Sequence, residues 1–133
     1  MQAFRAAVEA HDIDAVEALL AEDVVFTSPV VFKPYGGKAI TAAILRAVER
    51  VFEDFRYERV IGQEGGRDHA LVFSARVGDR EIGGCDFLHL DESGRIDELM
   101  VMVRPLSGAQ ALQAAMAAQF ERIAQEAQAG TAD

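Results

Sequence analysis

The residue best placed to do chemistry is Asp86, which interrupts the apolar run "GGCDFLHLDESGRIDELMVMVRP" from Gly83 to Pro105. Aspartate is depleted in strands and rarely buried without a partner, so an acid here is either a solvated or salt-bridged strand carboxylate or a pocket group. In an apolar pocket a carboxyl resists ionisation, which lets it donate a hydrogen bond or hand on a proton. The remaining candidates are sparse. His89 has the opposite parity to Asp86 and is expected on the outer face of the strand, while His11 and His69 lie beside turns and are expected in solvent. Cys85 reads as a small buried hydrophobe, because no His, Lys or helix N-terminus is placed by sequence to lower its pKa. The three histidines are far apart and share no motif with a thiol or carboxylate, so neither a metal nor another cofactor is expected. Gly36 and Gly37 form a loop before a helix but lack a full phosphate-loop pattern.

The elements that must position these side chains follow from periodicity. Phe4, Ala7 and Val8, then Val16, Leu19 and Leu20, repeat at helical spacing on either side of "HDID", giving two short helices with Asp12 or Asp14 as a cap. "DVVFTSP" is a short strand of about five residues closed by Pro29. After the loop at Pro34 to Gly37, Ile40, Ile44, Ala47, Val48 and Val51 restore the helical period for a third helix. From Glu53 the period becomes two. "FRYERVIG" and "HALVFSARV" form a hairpin, Gly78-Asp79 marks a second hairpin, and "DESG" a third turn, so a four-strand antiparallel meander is expected. Beyond Pro105, residues 106–128 predict one helical extension with Ser107 as its N-cap and Leu112, Met116, Phe120 and Ile123 along one stripe.

These elements fit a single α+β domain over residues 1–133, three N-terminal helices packed on one face of a curved antiparallel sheet, enclosing a pocket. No apolar run approaches the roughly 18 residues that span a membrane. The N-terminal residues lack a signal-peptide core and the single Cys85 has no internal partner, so a soluble cytoplasmic protein without a membrane partner is expected. Twenty-two acids against 13 bases give a net charge of −9 with no basic stripe, which excludes nucleic acid as a partner. The last strand is apolar on both faces across Leu99, Met100, Val101, Met102 and Val103. Its outer face therefore needs a cover. A sheet-to-sheet homodimer using Phe87, His89, Met100, Met102 and Arg104 is expected; the competing arrangement folds the C-terminal helix over that face.

The element order and the strings "FTSP…PYGGKAI" and "CDFLHLDESGRIDELMVMVRP" resemble the NTF2-like superfamily, and within it the SnoaL-like and ketosteroid-isomerase-like cone-shaped proteins. In the bacterial ketosteroid isomerases an acid precedes a D-E-x-G-R-I turn by the spacing of Asp86. The resemblance implies that Asp86 faces the cavity as a protonated hydrogen-bond donor to an enolate oxygen. The family's general-base Asp directly precedes the Pro ending the first strand, where this chain has Ser28. Its oxyanion-hole Tyr maps to Phe4. Steroid isomerisation by that mechanism is therefore not expected. Limonene-epoxide-hydrolase chemistry would need an Asp-Arg-Asp set, of which only Asp86 is placed.

With that orientation, parity and the helix stripes place Phe4, Val8, Phe26, Ser28, Tyr35, Ile44, Val48, Phe55, Tyr57, Leu71, Phe73, Asp86, Leu88, Leu99, Val101 and Val103 around an apolar cone. The expected function is binding of a small apolar molecule, cyclic or carbonyl-bearing, with Asp86 as acid or donor in isomerase-, cyclase- or hydratase-type chemistry. The alternative is a non-catalytic ligand-binding or dimerisation module that has lost the base.

Overall fold

The computed structural model describes residues 1–131. Helices α1 (Gln2–Glu9) and α2 (Ile13–Leu19) form the expected pair, with Asp12 as the cap between them: its Oδ1 accepts from the Ala15 N–H at 3.1 Å. Strand β1 (Leu20–Thr27) begins earlier than expected, because the chain leaves α2 directly through the buried Leu20 and Ala21. The two-residue strand β2 (Tyr35–Gly36) pairs with β1. Gly37 then turns the chain at φ 113°, a conformation that side-chain-bearing residues rarely adopt, and opens α3 (Lys38–Val51). That helix buries Thr41, Ala42, Ala43, Ile44 and Ala47.

Strands β3 (Glu53–Ile61), β4 (Asp68–Val77), β5 (Arg80–Leu90) and β6 (Ile96–Arg104) make the antiparallel meander. The six-stranded order is β2-β1-β6-β5-β4-β3, with β1 parallel to β6. The β4–β5 hairpin closes through Gly78-Asp79, with Val77 opposite Arg80 and Gly78 at φ 59°, as a two-residue turn requires. In the β5–β6 turn, Asp91 Oδ1 accepts from the Ser93 hydroxyl at 2.7 Å and the Arg95 N–H at 3.0 Å, which holds its carboxyl below the ordinary range.

Alternation assigns the two faces. Leu71, Phe73 and Ala75 of β4 and Ile82, Asp86 and Leu88 of β5 are buried under the helices, whereas Phe87 of β5 and Met102 of β6 are exposed on the other side. The single helix expected over 106–128 is two, α4 (Leu106–Ala117) and α5 (Phe120–Thr131), and Pro105, not Ser107, occupies the N-cap. The break has a packing cause. Leu112 and Met116 of α4 dock on the helix side of the sheet, while α5 lies along α3, where Arg50 donates to Gln119 at 2.8 Å and to Glu126 at 3.2 Å. One straight helix could not meet both surfaces. Neither segment covers the outer sheet face, so the fold-back arrangement is not the one adopted. Among the described residues no helix is long and apolar enough to cross a membrane.

Candidate active site

Between the sheet and the helices lies a cavity of about 110 Å³, lined mostly by apolar side chains. Its polar groups are few: Ser28, Tyr57, Asp86, and the pair His11 and Glu49. Asp86 is placed by the register of β5, opposite Leu71 on one side and Val101 on the other, so its cross-strand neighbours offer no charge. Among the described residues its single side-chain partner is Tyr57, whose hydroxyl donates to Asp86 Oδ2 at 2.7 Å. Burial therefore dominates: desolvation pushes the Asp86 carboxyl up to about 6, against a smaller lowering by the Tyr57 hydrogen bond. Burial likewise raises the Tyr57 phenol, and the Asp86 carboxylate adds to it, so Tyr57 stays a donor.

Tyr57 is itself held by aromatic packing. Phe55 meets its ring edge-on at 4.9 Å, and Phe73 does so at 6.5 Å. Phe73 reaches that position because Gly84 lies opposite it: a Cβ at Gly84 would overlap the Phe73 ring and stand 2.6 Å from the Met102 carbonyl oxygen. A missing side chain on β5 thus sets the ring that positions the donor two residues from Asp86.

Of the expected lining, Phe4, Val8, Phe26, Ser28, Ile44, Val48, Phe55, Tyr57, Asp86 and Val101 are brought to the cavity. Tyr35, Leu71, Phe73, Leu88, Leu99 and Val103 are not. Leu71, Phe73, Leu88 and Leu99 are packed solid into the core, Val103 packs beside it, and Tyr35 sits on the β2 edge with its ring 6.4 Å from Phe26. Inward parity does not distinguish a filled core from a cavity wall. Ser28 is also spoken for: its Oγ accepts from the Val30 N–H at 3.1 Å and the Val31 N–H at 3.3 Å, tying off the loop after β1.

Several wall residues escape a reading by parity, among them Phe52 at the end of α3 and Leu112 and Met116 of α4. His11 is exposed, as expected, and it also borders the cavity, with its Nδ1 3.4 Å from Glu49 Oε1. The approach joins residues far apart in sequence, and no local pattern signals it. His69, by contrast, is not solvated; it is buried, and its Nε2 lies 2.7 Å from the Gly66 carbonyl oxygen, pinning the β3–β4 loop. His89 stands on the outer face, where a 2.7 Å hydrogen bond to Asp68 raises its pKa. Cys85 is half-buried on that face, its thiol raised by desolvation and then by Asp86. Among the described residues no group of three or more His, Cys, Asp or Glu side chains is gathered as a metal ion requires.

An open curved sheet wrapped by helices over an apolar cavity, with a buried acid in its wall, defines an NTF2-like α+β protein. Residues 1–99 match the family model described as the SnoaL-like domain, and the chain belongs to that family. Among solved structures it is similar to a steroid delta-isomerase of Pseudomonas aeruginosa, at 42% identity and TM-score 0.84 over 90% of this chain and 87% of that one. It is also similar to an uncharacterized protein of Silicibacter pomeroyi described as having a cystatin-like fold, at 36% identity and TM-score 0.87 over 94% and 89% of the two chains. An NTF2-like protein of unknown function from Cytophaga hutchinsonii shares the fold at 21% identity and TM-score 0.59, over 78% of this chain and 86% of that one. A search of curated protein sequences finds no match.

Proposed function

We propose that the chain binds a small apolar molecule, cyclic or carbonyl-bearing, and that Asp86 acts on it as acid or hydrogen-bond donor in isomerase- or cyclase-type chemistry. The observation that carries this reading is the buried Asp86–Tyr57 pair in an otherwise apolar cavity. With its carboxyl near 6, Asp86 changes form close to neutrality. Ionised, it accepts from Tyr57; protonated, it keeps that acceptor role on one oxygen and has a proton for a ligand oxygen on the other. A carboxyl tuned toward the working pH suits proton transfer better than one near 4. Kinship to a protein described as a steroid delta-isomerase agrees with carbonyl chemistry. An aspartate base at position 28, however, is closed to this chain, because Ser28 stands there with its hydroxyl engaged by backbone amides.

Binding of 2-tetralone, followed by NMR titration, tests the proposal. Wild type should bind it saturably, and affinity should fall about tenfold per pH unit above 6 as the protonated form is depleted. Asp86→Asn, whose amide donates at every pH, should bind without that dependence. No saturable binding, or the same pH dependence in Asp86→Asn, would count against the reading. Binding by wild type with no acceleration of any proton transfer would favour the second reading, a binding or dimerisation module, which Ser28's engagement also supports.

The same face argument supports a homodimer. Ile61, Phe87 and Met102 are 52%, 36% and 53% exposed on the outer face, and cross-strand register runs Ala70, Phe87 and Met100 into one apolar row. A second copy meeting this face would bury it.

A further inference from the structure

We propose that His11, oriented by Glu49, is the catalytic base of the cavity, removing a carbon-bound proton from an enolisable ketone whose oxygen is held at Asp86. This rests on the proposed function above and adds the substrate class and the proton acceptor. The ionisable side chains lining the cavity are His11, Glu49, Tyr57 and Asp86. Two belong to the carbonyl end. The other two form a pair, with His11 Nδ1 3.4 Å from Glu49 Oε1. Among the described residues His11 Nε2 has no partner within the chain, so it is the nitrogen left for a ligand. A ring nitrogen within ion-pair range of a carboxylate, with the other ring nitrogen free, leaves an imidazole that a ligand in the cavity can meet.

The backbone at His11 points the same way. His11 is the residue after the α1 C-cap, and its N–H donates to the Val8 carbonyl at 3.0 Å while the Asp12 N–H donates to the Ala7 carbonyl at 2.9 Å. This double closure demands a left-handed residue, and His11 adopts φ 58°. Glycine is the residue that takes this position without strain. A histidine there accepts the strain and places an imidazole beside the cavity, one residue before Asp12, which caps α2.

The chemistry balances without another reactant. Nε2 takes the proton from the carbon next to the carbonyl, and the C–H electron pair becomes the enolate double bond. The carbonyl π pair moves onto oxygen, which accepts the Asp86 hydrogen bond. Return of the proton to the same carbon gives exchange; return to a conjugated carbon gives isomerisation. The His11 side chain is 73% exposed, so the proton it holds can equilibrate with solvent between the two steps.

The test is hydrogen–deuterium exchange at the carbons flanking the carbonyl of 2-tetralone, read by NMR in D2O with the full chain. Wild type should accelerate it. His11→Asn, chosen because asparagine tolerates the left-handed backbone, should lose roughly 100-fold or more of the acceleration, the usual scale for a general base, with ketone affinity unchanged. Glu49→Ala should lose part of the acceleration and Glu49→Gln, whose side-chain oxygen can still face Nδ1, should regain it, with ketone affinity unchanged in both, a rescue that a merely structural role would not give. Wild-type exchange in His11→Asn overturns the assignment of the base, and wild-type exchange in Glu49→Ala overturns the positioning role. Ketone binding by wild type without accelerated exchange overturns this inference and leaves the binding reading standing; absence of ketone binding overturns both.

Discussion

Replacing Asp86 by Asn should stabilise the protein at neutral pH, and the size of the effect follows from burial. The folded-state carboxyl titrates at about 6 against an ordinary 3.8. At about 1.4 kcal/mol for each pH unit, ionising it in the fold costs about 3 kcal/mol. The sign is that of a raised acid: its contribution is fully present below the unfolded value, and it is lost as pH rises through 4 to 6. Asn keeps the Tyr57 hydrogen bond as an acceptor and carries no charge to desolvate. Thermal melts of wild type and Asp86→Asn should therefore coincide near pH 4 and diverge by pH 7, where the variant melts roughly 10 °C higher. The difference between the two proteins isolates Asp86 from groups such as Asp91, whose lowered pKa acts in the opposite direction. A variant less stable at pH 7, with wild-type stability falling toward acid through the same window, would mean that Asp86 is an ionised structural carboxylate and would refute the reasoning.

Tyr57→Phe removes the one hydrogen bond that lowers the Asp86 carboxyl, so the Asp86 titration followed by carboxyl-carbon NMR should move further up; a downward move would show that another donor dominates. Gly84→Ala should destabilise by about 1–3 kcal/mol in urea melts, since its Cβ has no room beside Phe73 and the Met102 carbonyl. Met102→Lys should shift the sedimentation-equilibrium mass from dimer to monomer; a monomeric wild type at micromolar concentration would end the dimer proposal.

Much of this architecture is legible in the sequence because strands announce themselves by alternation and turns by glycine. Gly78-Asp79 and the segment from Asp91 to Gly94 close the hairpins where expected, and the helix before them carries its apolar stripe. Alternation could not orient Asp86, whose strand is comparably apolar on both faces; the family resemblance supplied the inward direction. The expected single C-terminal helix contains no Gly or Pro near Ala118, since its break comes from two docking surfaces and not from local propensity. Tyr35, Leu71, Phe73, Leu88, Leu99 and Val103 were read as cavity wall because parity reports the side of the sheet and not whether neighbouring rings fill the space. His11 was invisible as a site residue, for its approach to Glu49 depends on how the packing of α2 on α3 brings the turn between α1 and α2 to the side of α3.

The role proposed for Asp86 is that of an apolar-cavity carboxyl whose proton is shared with a bound carbonyl oxygen. Titrating its carboxyl-carbon chemical shift, with and without saturating 2-tetralone, tests it most directly. An apparent pKa of about 6 is expected in the empty protein and a higher one with the ketone bound. A value at or below the ordinary 3.8, or one that a bound ketone leaves unmoved, would contradict it.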